Sequence, residues 1–128
     1  MPKDTFVNIA EDKRERVLDA ALSEFSKNTF RDATVSRIVE RAGIPKGSFY
    51  QYFENKKDLY RYLVKMSQEK KMEYMRSQLD DIEESDIFVK LRKLYSAGIN
   101  FARKNPRLLA VGQNLMKEDD ELKEDVFD

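Results

Sequence analysis

The chain has 128 residues, 41% hydrophobic and 38% charged, with 24 Lys/Arg against 24 Asp/Glu. That apolar share and zero net charge exclude a disordered chain, and 4 Gly and 3 Pro are few enough breakers to favour an all-α fold. Cys and His are both absent, which excludes a disulfide framework and a Cys/His zinc site, so no cofactor is expected.

The start, Met1 to Phe6, carries Lys3 and Asp4 and leads to no apolar stretch. No signal peptide is expected there, and no run approaches the ~18 apolar residues of a membrane span. A cytoplasmic protein without a membrane partner is the expectation. The first helical pattern runs over 12–27, with Leu18, Ala21, Leu22 and Phe25 at i, i+3, i+4, i+7. Asn8 followed by Glu11 reads as a capping box at its start. A short second helix is predicted over 35–42, with Thr34 as N-cap and Val35, Ile38, Val39 and Ala42 as its buried stripe. Gly43 suits the left-handed position that ends a helix. Ile44-Pro45 makes a turn, and a third short helix follows over 46–52. Asn55 caps a fourth helix, with Asp58 reciprocal and Leu59, Tyr62, Leu63 and Met66 on its face. It is expected to end between residues 80 and 84, with a candidate boundary near Ser85. Asp86 caps a fifth, with Phe88, Leu91, Tyr95 and Ala102 inward and Asn105-Pro106 as its stop. A sixth covers 107–117. The acidic tail from Glu118, with Leu122, Val126 and Phe127 as anchors, reads as a seventh helix or its truncated beginning.

Helix, short helix, glycine turn, short helix is the helix-turn-helix arrangement. In the third helix Phe49 and Phe53, spaced i, i+4, belong to the core. Lys46, Gly47, Ser48, Tyr50, Gln51 and Tyr52 are left for a DNA surface. Lys46 can donate to guanine or phosphate, Gln51 can pair with adenine, and the three hydroxyls can reach phosphates. Gly47 allows close backbone approach. Charge agrees in sign: residues 1–70 hold 14 Lys/Arg and 11 Asp/Glu, and residues 71–128 hold 10 and 13.

From Thr34 through Ala42-Gly43-Ile44-Pro45-Lys46-Gly47 and Tyr50-Gln51-Tyr52-Phe53 to Lys56 and Leu59, the sequence resembles the signature of the tetracycline-repressor (TetR) family. Carried over by position, Thr34, Ser48, Tyr50 and Lys56 resemble phosphate contacts. Lys46, Gly47, Gln51 and Tyr52 fall where bases or nearby phosphates are approached, and Ser36 is counted with them. Pro45 departs from the Ser of many members and weakens that N-cap. The resemblance implies a DNA-binding head over 1–54 and a helical regulatory and dimerising region over 55–128. It further implies a double-stranded operator as partner, a small-molecule effector, and a homodimer in a longer parent chain. Should these residues dimerise alone, Leu115, Met116, Leu122, Val126 and Phe127 are the candidate face. The rival reading is a protein-interaction module that kept the fold and lost DNA binding, against which Lys46, Tyr50 and Lys56 stand. An enzyme is not expected, because the carboxylates sit in no catalytic pattern.

Overall fold

The computed structural model describes residues 2–79 and 86–127, and these contain eight helices and no strand. They are α1 (Asp4–Val7), α2 (Glu11–Lys27), α3 (Val35–Ala42), α4 (Lys46–Tyr52), α5 (Lys56–Leu79), α6 (Ile87–Lys104), α7 (Pro106–Met116) and α8 (Asp120–Phe127). No described helix is long and apolar enough to cross a membrane.

Helix α1 has no counterpart in the sequence reading. It forms because Phe6 is fully buried, which draws the leading segment onto the head. Asn8, expected to cap α2, instead closes α1, its N–H reaching the Asp4 carbonyl at 3.1 Å. The N-cap of α2 is Ala10, which offers no side-chain acceptor.

The next two helices follow the sequence. Thr34 Oγ1 accepts the Arg37 N–H at 3.2 Å and opens α3. Gly43 closes it at φ 71°. The Gly43 N–H reaches Glu40 O and the Ile44 N–H reaches Val39 O, which is the Schellman pattern. Pro45 then lets α4 begin without a side-chain cap. At the start of α5, Asn55 Oδ1 accepts the Asp58 N–H at 2.9 Å, while Asp58 Oδ2 reaches back to the Glu54 N–H at 3.0 Å. The expected end of α5 between residues 80 and 84, and the boundary near Ser85, lie outside the described residues.

Helix α6 is capped by Asp86 as expected, its side chain accepting the Phe88 N–H at 2.9 Å, but its inward side is corrected. Phe88, Leu91 and Tyr95 are exposed, and Ala97 and Phe101 are the buried residues. Phe101 packs beside Tyr74 of α5, ring centroids 5.6 Å apart. Apolar residues surround much of α6, so periodicity alone does not choose a side. Leu122 and Val126 anchor α8 in the core. With Leu115 also buried, the five-residue dimer face named above does not exist as a surface: Met116 and Phe127 alone among them are exposed.

One core runs from Phe6 to Val126. Helix α2 lies against α3 and α7, and α5 against α6 and α8. Rings of Phe25, Phe30 and Tyr60 meet at 4.8–6.5 Å, and those of Phe6, Phe53 and Tyr62 at 4.8–6.1 Å. The Tyr60 hydroxyl is buried with no hydrogen-bond partner among the described residues. Burial, with the Glu118 charge adding to it, pushes the phenol up to about 12.

Two outcomes follow for stability. Gly43→Val should destabilise the chain by roughly 1–3 kcal/mol, because a β-branched residue is strained at positive φ; a urea melt with an unchanged midpoint would refute it. The fold retains a phenolic proton that the unfolded chain releases above pH ~10. Stability should therefore be full below pH 10 and fall between pH 10 and 12, by about 2–3 kcal/mol from this group. Comparing wild type with Tyr60→Phe isolates it: the variant should lose that part of the alkaline decline.

Candidate nucleic-acid interface

The turn at Gly43 sets α4 across α3, and the two helices bury Ile38, Val39, Ala42, Phe49 and Tyr52 between themselves and the rest of the head. Their outer sides carry Ser36, Lys46, Gly47, Tyr50 and Gln51, all exposed, with Thr34 and Ser48 half-buried at the rim. Lys46 Nζ donates to Ser36 Oγ at 3.2 Å, so these two side chains bridge α3 and α4 on the outer side. Tyr50 stands edge-on to Phe49, centroids 5.0 Å apart and planes at 89°, so its ring has an apolar base while nearly half its surface is open. Thr34 Oγ1 is used as an acceptor by the Arg37 N–H, and its own hydroxyl proton is the part a phosphate oxygen would accept. Apart from its chain neighbours and the adjoining backbone of α4, no described atom lies within 4 Å of where a Cβ on Gly47 would stand. Glycine there meets no demand of the fold.

Two members of the expected set are corrected. Tyr52 is 3% exposed. Residues 49, 52 and 53 share one side of a short helix, and Phe6 comes to 5.7 Å from the Tyr52 ring. Lys56 bends inward: its Nζ donates to Phe30 O at 2.6 Å, Ala33 O at 3.0 Å and Arg31 O at 3.4 Å, and sits 4.3 Å above the Phe30 ring. Its three ammonium protons match three carbonyls. Desolvation lowers its pKa from the ordinary lysine value, against the opposing charges of Asp32, Glu118 and Glu24. This lysine ties the α2–α3 loop to the start of α5.

Other residues that build the site were not singled out in the sequence. Glu24, 8% exposed, accepts the Thr34 N–H at 2.8 Å and Arg37 Nε at 2.7 Å, so a carboxylate from α2 fixes the entry to α3. Arg37 Nη2 also donates to Asp32 O at 2.6 Å, an exposed contact at the surface of the head. Asn114 of α7 donates toward Phe25 O, Ser26 O and Asn28 O at 3.2–3.4 Å. Glu118 Oε1 accepts the Phe30 N–H at 3.0 Å. No sequence signal marks Glu24, Asn114 or Glu118 as partners, because each lies 10 to 89 residues from the group it satisfies. Among the described residues no acidic cluster is arranged to hold a metal ion.

Residues 17–63 match the family model described as bacterial regulatory proteins, tetR family. A TetR family transcriptional regulator from Chloroflexus aurantiacus J-10-FL superposes with a TM-score of 0.86 at 40% identity, over 98% of this chain and 59% of that one. The transcriptional regulator FadR from Bacillus subtilis, solved in complex with stearoyl-CoA, gives 0.70 at 28% identity, over 88% of this chain and 60% of that one. The HTH-type transcriptional regulator YdgC of Bacillus subtilis (strain 168) is 45% identical over 53 residues, 41% of this chain and 27% of YdgC. The chain thus spans less than two thirds of each of these relatives.

The inward lysine makes a prediction that its surface neighbour does not share. Lys56→Ala should cost roughly 1–3 kcal/mol by orphaning loop carbonyls. Lys57→Ala, which removes only a half-exposed, solvent-screened pair with Asp125 at 2.8 Å, should cost clearly less. Equal midpoints for the two variants in a denaturant series would contradict the assignment of Lys56.

Proposed function

We infer that this chain, which belongs to the tetR family of bacterial regulatory proteins, is a sequence-specific DNA-binding transcriptional repressor released by a small molecule. The observation that carries the reading is the outer side of α3 and α4: a short helix held by the glycine turn, with Lys46, Gly47, Tyr50 and Gln51 presented together. A major groove is wide enough to admit such a helix. Lys46 and Gln51 read base edges; Thr34, Ser36, Ser48 and Tyr50 hold phosphates. The head takes residues 1–54 and the regulatory body 55–128. The full-length protein acts in the cytoplasm as a homodimer, with two heads about one DNA turn apart, ~34–36 Å or a multiple of it.

The effector site is the cleft of about 420 Å³ among α5, α6, α7 and α8. Val64, Phe101, Val111 and Leu115 supply its apolar wall, and Gln68 and Lys71 add polar groups. That lining suits an elongated apolar ligand with an anionic end at Lys71, and the FadR relative bound to stearoyl-CoA supports this class. Helix α7 faces two ways. Val111 and Leu115 line the cleft, while Asn114 holds the carbonyls at the end of α2. A ligand that displaces α7 therefore moves the base of the head.

Binding-site selection from random duplexes, with and without a long-chain acyl thioester, tests the whole reading. Lys46→Ala and Gln51→Ala should relax base preference by about 1–3 kcal/mol at the position each one reads. Gly47→Ala separates binding from folding. It should leave the melting temperature equal or raise it, since alanine favours a helix by ~0.5–1 kcal/mol, and it should weaken DNA binding by crowding the approaching backbone. Full DNA affinity in Gly47→Ala would remove Gly47 from the interface.

A further inference from the structure

The leading segment lies before the family match, which begins at residue 17, so the match assigns it nothing. It is nevertheless fastened to the end of α4 by three contacts. A helix leaves its last four carbonyls without intrahelical partners. In α4 the Phe49 carbonyl is taken by the Phe53 N–H at 2.9 Å. The Tyr50 carbonyl is taken by Lys3 Nζ at 3.0 Å, and the Tyr52 carbonyl by the Lys3 backbone N–H at 2.8 Å. The ammonium also lies at the end of a helix where a positive charge is favoured. Three residues on, the buried Phe6 ring lies 4.8 Å from Phe53, 5.7 Å from Tyr52 and 6.0 Å from Tyr62 of α5. The far end of α1 is tied to α2 by Arg14 Nη1, which donates to Val7 O at 3.0 Å.

These contacts matter because α4 is short and has no side-chain cap at its other end. It has seven residues, and its N-cap is Pro45, with no side-chain acceptor. Tyr50 and Gln51, two of the outward residues, sit in the turn whose carbonyls Lys3 holds. We propose that α1 is a strut for the recognition helix, with Lys3 and Phe6 as positioning residues that fix the pitch at which α4 meets DNA. The proposal rests on the DNA reading above. Lys3 acts through the α4 backbone and not on phosphate.

Three variants at one position test it in the full chain. Lys3→Ala removes the ammonium alone. Lys3→Pro also removes the backbone donor, and the native φ of −71° suits proline, so no backbone strain is added. Lys3→Arg keeps a cation able to donate to the Tyr50 carbonyl. Without DNA, amide exchange at residues 52 and 53 should rise about tenfold in Lys3→Ala and further in Lys3→Pro, and stay near wild type in Lys3→Arg. With DNA, the ratio of affinities for a selected duplex and a random duplex should fall about three- to tenfold in the same order, with the salt slope unchanged. A slope lowered by ~0.9 with the ratio intact would make Lys3 a phosphate contact and overturn the proposal. Unchanged exchange would overturn it as well. If wild type itself distinguishes no selected duplex, the DNA reading fails, and the exchange series still decides whether α1 holds α4.

Discussion

The loop between α2 and α3 is where the backbone's demand for hydrogen-bond partners shapes the molecule. Its polar groups lie against other helices and need protein partners. Lys56 serves three carbonyls, Glu118 serves the Phe30 N–H, Glu24 serves the Thr34 N–H, and Asn114 serves Asn28 O. Those four side chains come from α2, α5, α7 and the α7–α8 junction. Satisfying one short loop therefore brings together most of the long elements. The orientation of α3, and with it the Gly43 turn and α4, is set by the same contacts, because Thr34 is both the end of the loop and the cap of α3.

Much of this fold is legible in the sequence because its signals are local. A cap bonds three residues ahead, an apolar stripe repeats every three or four, and a left-handed residue needs glycine. Thr34, Gly43, Asn55 and Asp86 all sit where such rules put them. The failures are of two kinds. The Tyr52 hydroxyl suggests a DNA surface, but its i+3 relation to Phe49 marks it as inward, and the structure buries it. Lys56 could not be read at all from its neighbours. A lysine stem bends equally well toward solvent or toward a carbonyl cluster formed by residues 23 to 26 positions earlier. The burial of α6 is of this second kind, since Ala97 and Phe101 are chosen by what α5 offers them.

Helix α5 joins what the sequence divides. Its first turns bury Leu59, Tyr60 and Leu63 in the same core that holds Phe25 and Phe53 of the head, and its later turns carry Tyr74 against α6. The Tyr60 hydroxyl, without a hydrogen-bond partner among the described residues, sits in that shared region. An apolar ring is what the packing there requires, and the oxygen is a cost the fold carries. Helix α7 has the same double attachment from the other side, through Val111 and Leu115 into the core and Asn114 onto the end of α2.

The loop contacts also differ in when they can exist. On the ribosome the chain emerges from its N-terminus, at about 5–20 residues per second. Glu24 precedes the loop, and Lys56 follows soon after it. Asn114 and Glu118 lie 86 to 89 residues beyond the carbonyls and N–H that they serve. The clasp therefore closes in two stages separated by several seconds of synthesis. A nascent head first takes shape on its near partners, and the Phe30 N–H and the carbonyls that Asn114 serves stay bonded to water until α7 and the residues after it arrive.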